Sequence, residues 1–196
     1  MATIGLDEMY YAKITSADNA DEVYDTPKKM AGAISVDIAK NIAEAMLAAD
    51  NRAYYANKSF SNGTITINLA DISDEALVDI FGAVKDSKGG IGYAGDKLPE
   101  PIAIGFRALK ANGKYRYTWL LRVVFAPPGE NVQTKGDAIT YTTPSATGTF
   151  SDQIKKAADG HHYHQYKMDE DAEGADKTTI QSWFTQVQEP TVSASA

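Results

Sequence analysis

The sequence predicts a mainly β fold with one flanking α-helix, at about residues 74–86, and extended loops or arms. Three observations carry that prediction. Residues 63–70 alternate strictly, with Ile65, Ile67 and Leu69 on one parity and Thr64, Thr66 and Asn68 on the other. Asn112-Gly113, a favoured hairpin turn, sits between two long runs of strand-forming residues. Only one stretch combines a helical apolar period with start and stop signals.

Tyr10–Ala17 alternates loosely and reads as a first strand, broken by Thr26-Pro27. From Ala31 to Ile42, one parity carries Ile34, Val36 and Ile38, giving a strand with one apolar face. Ile42–Asp50 is ambiguous, because Ala45, Met46, Leu47, Ala48 and Ala49 also suit a helix. Asp50–Gly63 reads as a loop holding Tyr54, Tyr55 and Phe60, and the alternating strand follows. The helix opens on Ser73 as N-cap, with Asp74 and Glu75 where the dipole favours acids. Leu77, Ile80, Phe81 and Val84 form its apolar stripe, and Gly89-Gly90 is its stop.

Taking Asn112-Gly113 as a two-residue loop pairs Ala108 with Tyr117, Phe106 with Trp119 and Ile104 with Leu121 on an apolar face. Arg107, Arg116 and Arg122 then share the opposite face, and a one-residue slip would bury them. Ala126-Pro127-Pro128-Gly129 ends the hairpin. Asp137–Phe150 reads as one or two strands interrupted at Pro144, and Ser151–Gly160 as a turn or short helix. Tyr163–Met168 reads as a strand and Thr178–Val187 as a helix carrying Trp183 and Phe184. Residues 1–190 are expected to form a single domain with an N-terminal arm at about 1–9, and 191–196 a frayed tail.

A chain of 196 residues buries enough surface to fold without staples, and it has no cysteine, which excludes a disulfide framework and thiolate chemistry. The net charge of -7 argues against tight nonspecific nucleic-acid binding. The acids cluster before Pro27 and again at Asp169, Glu170, Asp171, Glu173 and Asp176. No apolar run reaches the ~20 residues that cross a bilayer, and Met1–Met9 lacks the basic and apolar regions of a signal peptide, so folding in a cytoplasm is expected.

No catalytic, cofactor or metal site is predicted. His161, His162 and His164 could grip a divalent cation, but they follow Gly160 in what reads as a polar surface loop. The acidic run 169–176 lacks calcium-loop spacing and reads as a solvated segment. Gly89-Gly90-Ile91-Gly92 opens no helix, so it is no phosphate loop. The three arginines carry no interleaved aromatics on their own face. They read as partners for acids of a neighbouring element or subunit.

Three blocks resemble a known family. They are Thr26-Pro27-Lys28-Lys29-Met30-Ala31-Gly32-Ala33-Ile34-Ser35; Ile104-Gly105-Phe106 through Asn112-Gly113-Lys114-Tyr115-Arg116-Tyr117 to Trp119; and Thr134-Lys135-Gly136-Asp137 with Thr142-Thr143-Pro144 and Thr147-Gly148-Thr149-Phe150. With Trp183-Phe184 they are similar to the phi13-type major tail proteins, tail tube subunits of long-tailed bacteriophages. The resemblance implies a tail-tube-type β-sandwich or barrel whose hexameric rings stack around a tape-measure protein. DNA would later pass through the lumen without specific binding, and long loops and terminal arms would stitch rings together. Tail terminator and tail-tip proteins are implied partners; no cofactor and no membrane are implied. Tyr54, Tyr55, Phe60, Arg107, Arg116 and Arg122 are then expected at subunit interfaces, and Asp169, Glu170 and Asp171 as negative charge along the lumen. Competing readings are the inner tube of a contractile injection system and a carbohydrate-binding β-sandwich presenting Tyr54, Tyr55 and Phe60.

Overall fold

The computed structural model describes residues 2–17, 21–30, 32–49, 52–129, 134 and 143–192, leaving aside side chains at 16–17, 21, 45–49 and 52–57. The strands in chain order are β1 (Thr3–Ala17), β2 (Asp21–Tyr24), β3 (Lys28–Met30), β4 (Ala33–Ala49) and β5 (Arg52–Leu69). After helix α1 (Asp74–Phe81) come β6 (Val84–Lys85), β7 (Ile91–Gly92), β8 (Ile102–Lys110), β9 (Tyr115–Phe125), β10 (Ser145–Phe150) and β11 (Gln165–Asp169), then helix α2 (Lys177–Gln181). One large antiparallel sheet runs β2-β1-β8-β9-β10-β5-β4, with β3 also on β1 and β11 also on β9. β6 and β7 form a separate small hairpin. The expectation of a mainly β fold is borne out.

Both faces of the central strands are covered. On one face Ile65, Ile67, Leu69, Ile102, Ile104, Leu120, Val123 and Phe150 pack with Ala76, Ile80 and Phe81 of α1. On the other, Ala12, Ala103, Tyr117, Trp119 and Leu121 pack under Trp183, which follows α2. Each fully buried side chain of this size contributes roughly 1.5–3 kcal/mol. Polar ties fix α1 in place: Lys28 Nζ reaches Glu75 Oε1 at 2.6 Å and Asp79 Oδ2 at 2.8 Å, and Tyr11 donates to Asp79 at 3.2 Å.

Several elements depart from the sequence reading, each for a local reason. The helix stops at Phe81, not near Asp86. Gly82 takes a left-handed φ of 70°, and the Ala83 N–H donates to the Leu77 carbonyl at 3.2 Å, which closes the helix before Val84. Val84 instead joins β6. The hairpin loop has three residues, not two. The Gly113 N–H donates to Lys110 O at 3.0 Å, Lys110 N–H to Lys114 O at 2.8 Å, and Gly113 has φ 77°. A turn followed by a left-handed glycine is the three-residue alternative to the two-residue loop. The register therefore moves by one: Leu109 opposes Tyr115, Arg107 opposes Tyr117, Gly105 opposes Trp119 and Ile104 opposes Leu120. A register shift then restores Ile102 opposite Val123. Residues 52–62, expected as loop, belong to β5, and 42–49 extend β4. The first strand also starts earlier than Tyr10: β1 begins at Thr3, and its first half pairs with β8.

Candidate assembly interface

The sheet does not end where its core ends. β4 pairs with β5 from Ala33 opposite Leu69 out to Ala49 opposite Arg52. β10 covers the other edge of β5 only between Gly63 and Asn68. Beyond Asn41 and Asn62, β4 and β5 therefore continue as a two-stranded ribbon. About nine residues per strand at ~3.3 Å each give it a reach of about 30 Å. Strands usually run 3–10 residues, and a lone two-stranded hairpin is marginal in water. The outer edge of β4 pairs with nothing among the described residues, so its N–H and C=O groups offer a template for another chain.

The root of the ribbon is built with care. Gly63 lies under the Phe150 ring, which leaves no room for a Cβ. Phe60 stacks on Phe150 at 5.8 Å between centroids and on His164 at 3.9 Å. His164 accepts or donates on both sides of its ring, with Nδ1 3.1 Å from Asp152 Oδ1 and Nε2 3.0 Å from Lys40 Nζ. The neutral tautomer with a proton on Nδ1 satisfies both, donating to the carboxylate and accepting from the ammonium. Burial pushes the His164 pKa down, Lys40 adds to that, and Asp152 opposes it. Asn41 Nδ2 donates to Asn62 Oδ1 at 2.6 Å, and Glu44 pairs with Lys58 further out.

The residues singled out in the sequence fall in four places. Tyr54 and Tyr55 lie on the ribbon strand β5, and their side chains are outside the described residues. Phe60 is half-buried at the ribbon root. The arginines do not share one face. Arg107 opposes Tyr117 and Arg116 opposes Ala108, so these two point to opposite sides of the hairpin. Arg107 pairs with Asp7 at 2.7 Å and lies 4.5 Å over the Tyr115 ring. Arg116 forks onto Asp169 at 2.6 and 2.8 Å. Arg122 pairs with Glu22, which is 3% exposed and also accepts the Ile154 N–H at 2.8 Å. The register slip thus buries no bare guanidinium, because each arginine meets a carboxylate.

The acids at 169–171 form an ordered clamp on the hairpin tip. Asp169 holds Arg116 and also Lys110 at 3.1 Å; Asp171 holds Lys110 and accepts from Asn112 at 2.6 Å. Glu170 accepts from Lys114 at 3.1 Å and from the Tyr115 N–H at 3.0 Å. The Arg116 hydrogen bonds pull the Asp169 carboxyl well below the usual carboxylate range, with Lys110 assisting. The Tyr115 amide does the same for Glu170, and Lys110 for Asp171. The rings of two histidines have separate partners, His162 Nδ1 lying 2.9 Å from the Gln153 carbonyl and His164 Nδ1 3.1 Å from Asp152, while His161 donates its backbone N–H to Asp159. Sequence reasoning missed Lys40, Lys110 and Glu22. Their partners lie 124, 59 to 61 and 100 to 132 residues away, with no local signal to find them.

The sequence profile of the phage tail tube proteins matches residues 1–189 of this chain. No curated protein matches it.

Proposed function

Given that the chain belongs to the phage tail tube protein family, a family of structural proteins, we propose that it forms stacked hexameric rings enclosing the conduit for phage DNA. The observation that carries this reading is the β4–β5 ribbon, a long two-stranded projection whose outer edge pairs with nothing among the described residues and so suits a strand of another copy. A subunit that offers a projection at one place and receives one at another makes a heterologous contact. Such contacts close into rings or grow into stacks.

In this reading the ribbon stitches one ring to the next, with Tyr54 and Tyr55 in the contact and Phe60 fixing the angle at which the ribbon leaves the sheet. Arg107, Arg116 and Arg122 serve the interface indirectly by holding the hairpin and its flanks rigid. Asp169, Glu170 and Asp171 each face a cation of the hairpin. A DNA-repelling lumen therefore draws more on the net charge of -7 than on that turn. Rings would assemble in the host cytoplasm on a tail-tip complex around the tape-measure protein, and a terminator would cap the tube.

Negative-stain electron microscopy of concentrated protein, with and without a tail-tip complex, tests the proposal. Rings or tubes of uniform diameter with six-fold end views are expected. A protein that stays monomeric under both conditions overturns it. A sheath assembling around the tube would move the assignment to a contractile system.

A further inference from the structure

A second surface matches a loop of the same chain. The first half of β1 and the start of β4 do not pair. Between them lies an open cleft of ≈ 480 Å³ lined by Ile4, Leu6, Ile34 and Val36, with Lys167 at one side. Ile4 is 67% and Ile34 52% exposed, a costly display for two large aliphatic side chains in one place. Lys167 makes no ion pair among the described residues. Lys40 and Arg116 lie close enough to repel it, and Asp169, which offsets them, is already held by Arg116 and Lys110, so Lys167 is a cation with room for a carboxylate of its own.

The complementary feature is the loop 93–101 between β7 and β8. Leu98 is 78% exposed, the most exposed large apolar side chain described. Asp96 and Glu100 stand two residues to either side of it, and neither makes an ion pair among the described residues. The loop is held in shape rather than loose. The Lys97 N–H donates to the Ala94 carbonyl at 3.2 Å, Lys97 Nζ reaches Ala83 O at 3.4 Å, and the Pro99 backbone packs against Gly82. Pro99 and Pro101 stiffen it further. It is a preformed apolar knob in an acidic setting.

We propose that Leu98 of one copy seats in the β1–β4 cleft of a second copy, with Asp96 and Glu100 meeting Lys167. This rests on the self-assembly reading above and adds a specific contact to it. Knob and cleft share no residue and every copy carries one of each, so a copy seated on one neighbour still offers its free half to the next, as growth into a ring or stack requires. An apolar anchor ringed by complementary charge is the usual anatomy of a contact whose energy sits in one residue while the charges set its partner.

The absence of cysteine makes the test clean. Leu98→Cys and Ile34→Cys, each at an exposed position, are mixed with a short bis-maleimide linker. A linked dimer is expected in the mixture and not in either variant alone. In parallel, Lys167→Glu is expected to lower the assembled fraction about tenfold or more, and Asp96→Lys with Glu100→Lys in the same chain to restore it. Thermal melts confirm that each variant is folded. Wild-type tubes with no linked dimer, and Lys167→Glu assembling as well as wild type, overturn this contact while leaving the tube reading intact. A wild-type chain that stays monomeric, with no link in the mixture, overturns both.

Discussion

Gly105 shows how tightly single positions are set. It lies opposite Trp119, and a Cβ there would meet three indole atoms at 2.7 Å. Gly105→Ala is expected to destabilise the protein by about 1–3 kcal/mol through overpacking, read as a lower Tm. His164 offers a pH test. Burial holds it neutral in the fold, with Lys40, Lys167 and Asp152 as the charged groups around it. Its folded pKa lies below the unfolded value of about 6.5. The stability it lends is therefore present above that value and is lost as pH falls through the folded pKa. Melts from pH 7 down to pH 5 should show a declining Tm in the wild type, with a shallower decline in His164→Phe, which keeps the stack on Phe60. Asp169 works in the same direction at lower pH. Its carboxyl is depressed by Arg116 and Lys110, so the clamp lends stability above about pH 4 that disappears as acid is added, and Asp169→Asn should flatten that limb. None of these partners was legible in the sequence. Ion pairs between residues 53 to 100 positions apart leave no local pattern, whereas the core parity of Ile65, Ile67 and Leu69 did, because burial on one face of a strand writes period two into the chain.

At the level of elements, the parts that fold around the core were readable and the parts that leave it were not. The start of α1 was found because Ser73 and the two acids after it are local chemistry: its Oγ accepts the Ala76 N–H at 3.3 Å. Ser73→Ala is expected to lower stability by about 1 kcal/mol, checked by denaturant midpoint. Its end was misplaced because a lone Gly82 outranks the Gly-Gly pair further on once it adopts φ 70°. The ribbon was missed for a different reason. Its strands carry no alternation, and an Ala-rich run beside a Tyr- and Asn-containing run resembles helix and loop. Replacing residues 44–58 with a two-residue Asn-Gly turn, which joins the paired Ala43 and Ser59 and keeps Phe60 on Phe150 and His164, should leave a folded monomer whose Tm is close to wild type. It should assemble neither rings nor tubes in sedimentation velocity and microscopy.

For the molecule as a whole, the sheet divides into a region paired and covered from all sides and a two-stranded region that runs out past it. β8 and β9 are paired on both edges and covered on both faces, while β4 and β5 run outward beyond every other strand. That division sets a measurable timescale contrast. Backbone amides of residues 42–60 in the free subunit should trade their hydrogens for deuterium within seconds, while those of β8 and β9 hold theirs to the limit of global unfolding. Once a neighbour docks, the outer amides slow as well. The projection thus doubles as a built-in clock. Pulse labelling during growth would date the arrival of each subunit from the ribbon alone, with the central strands as an internal zero.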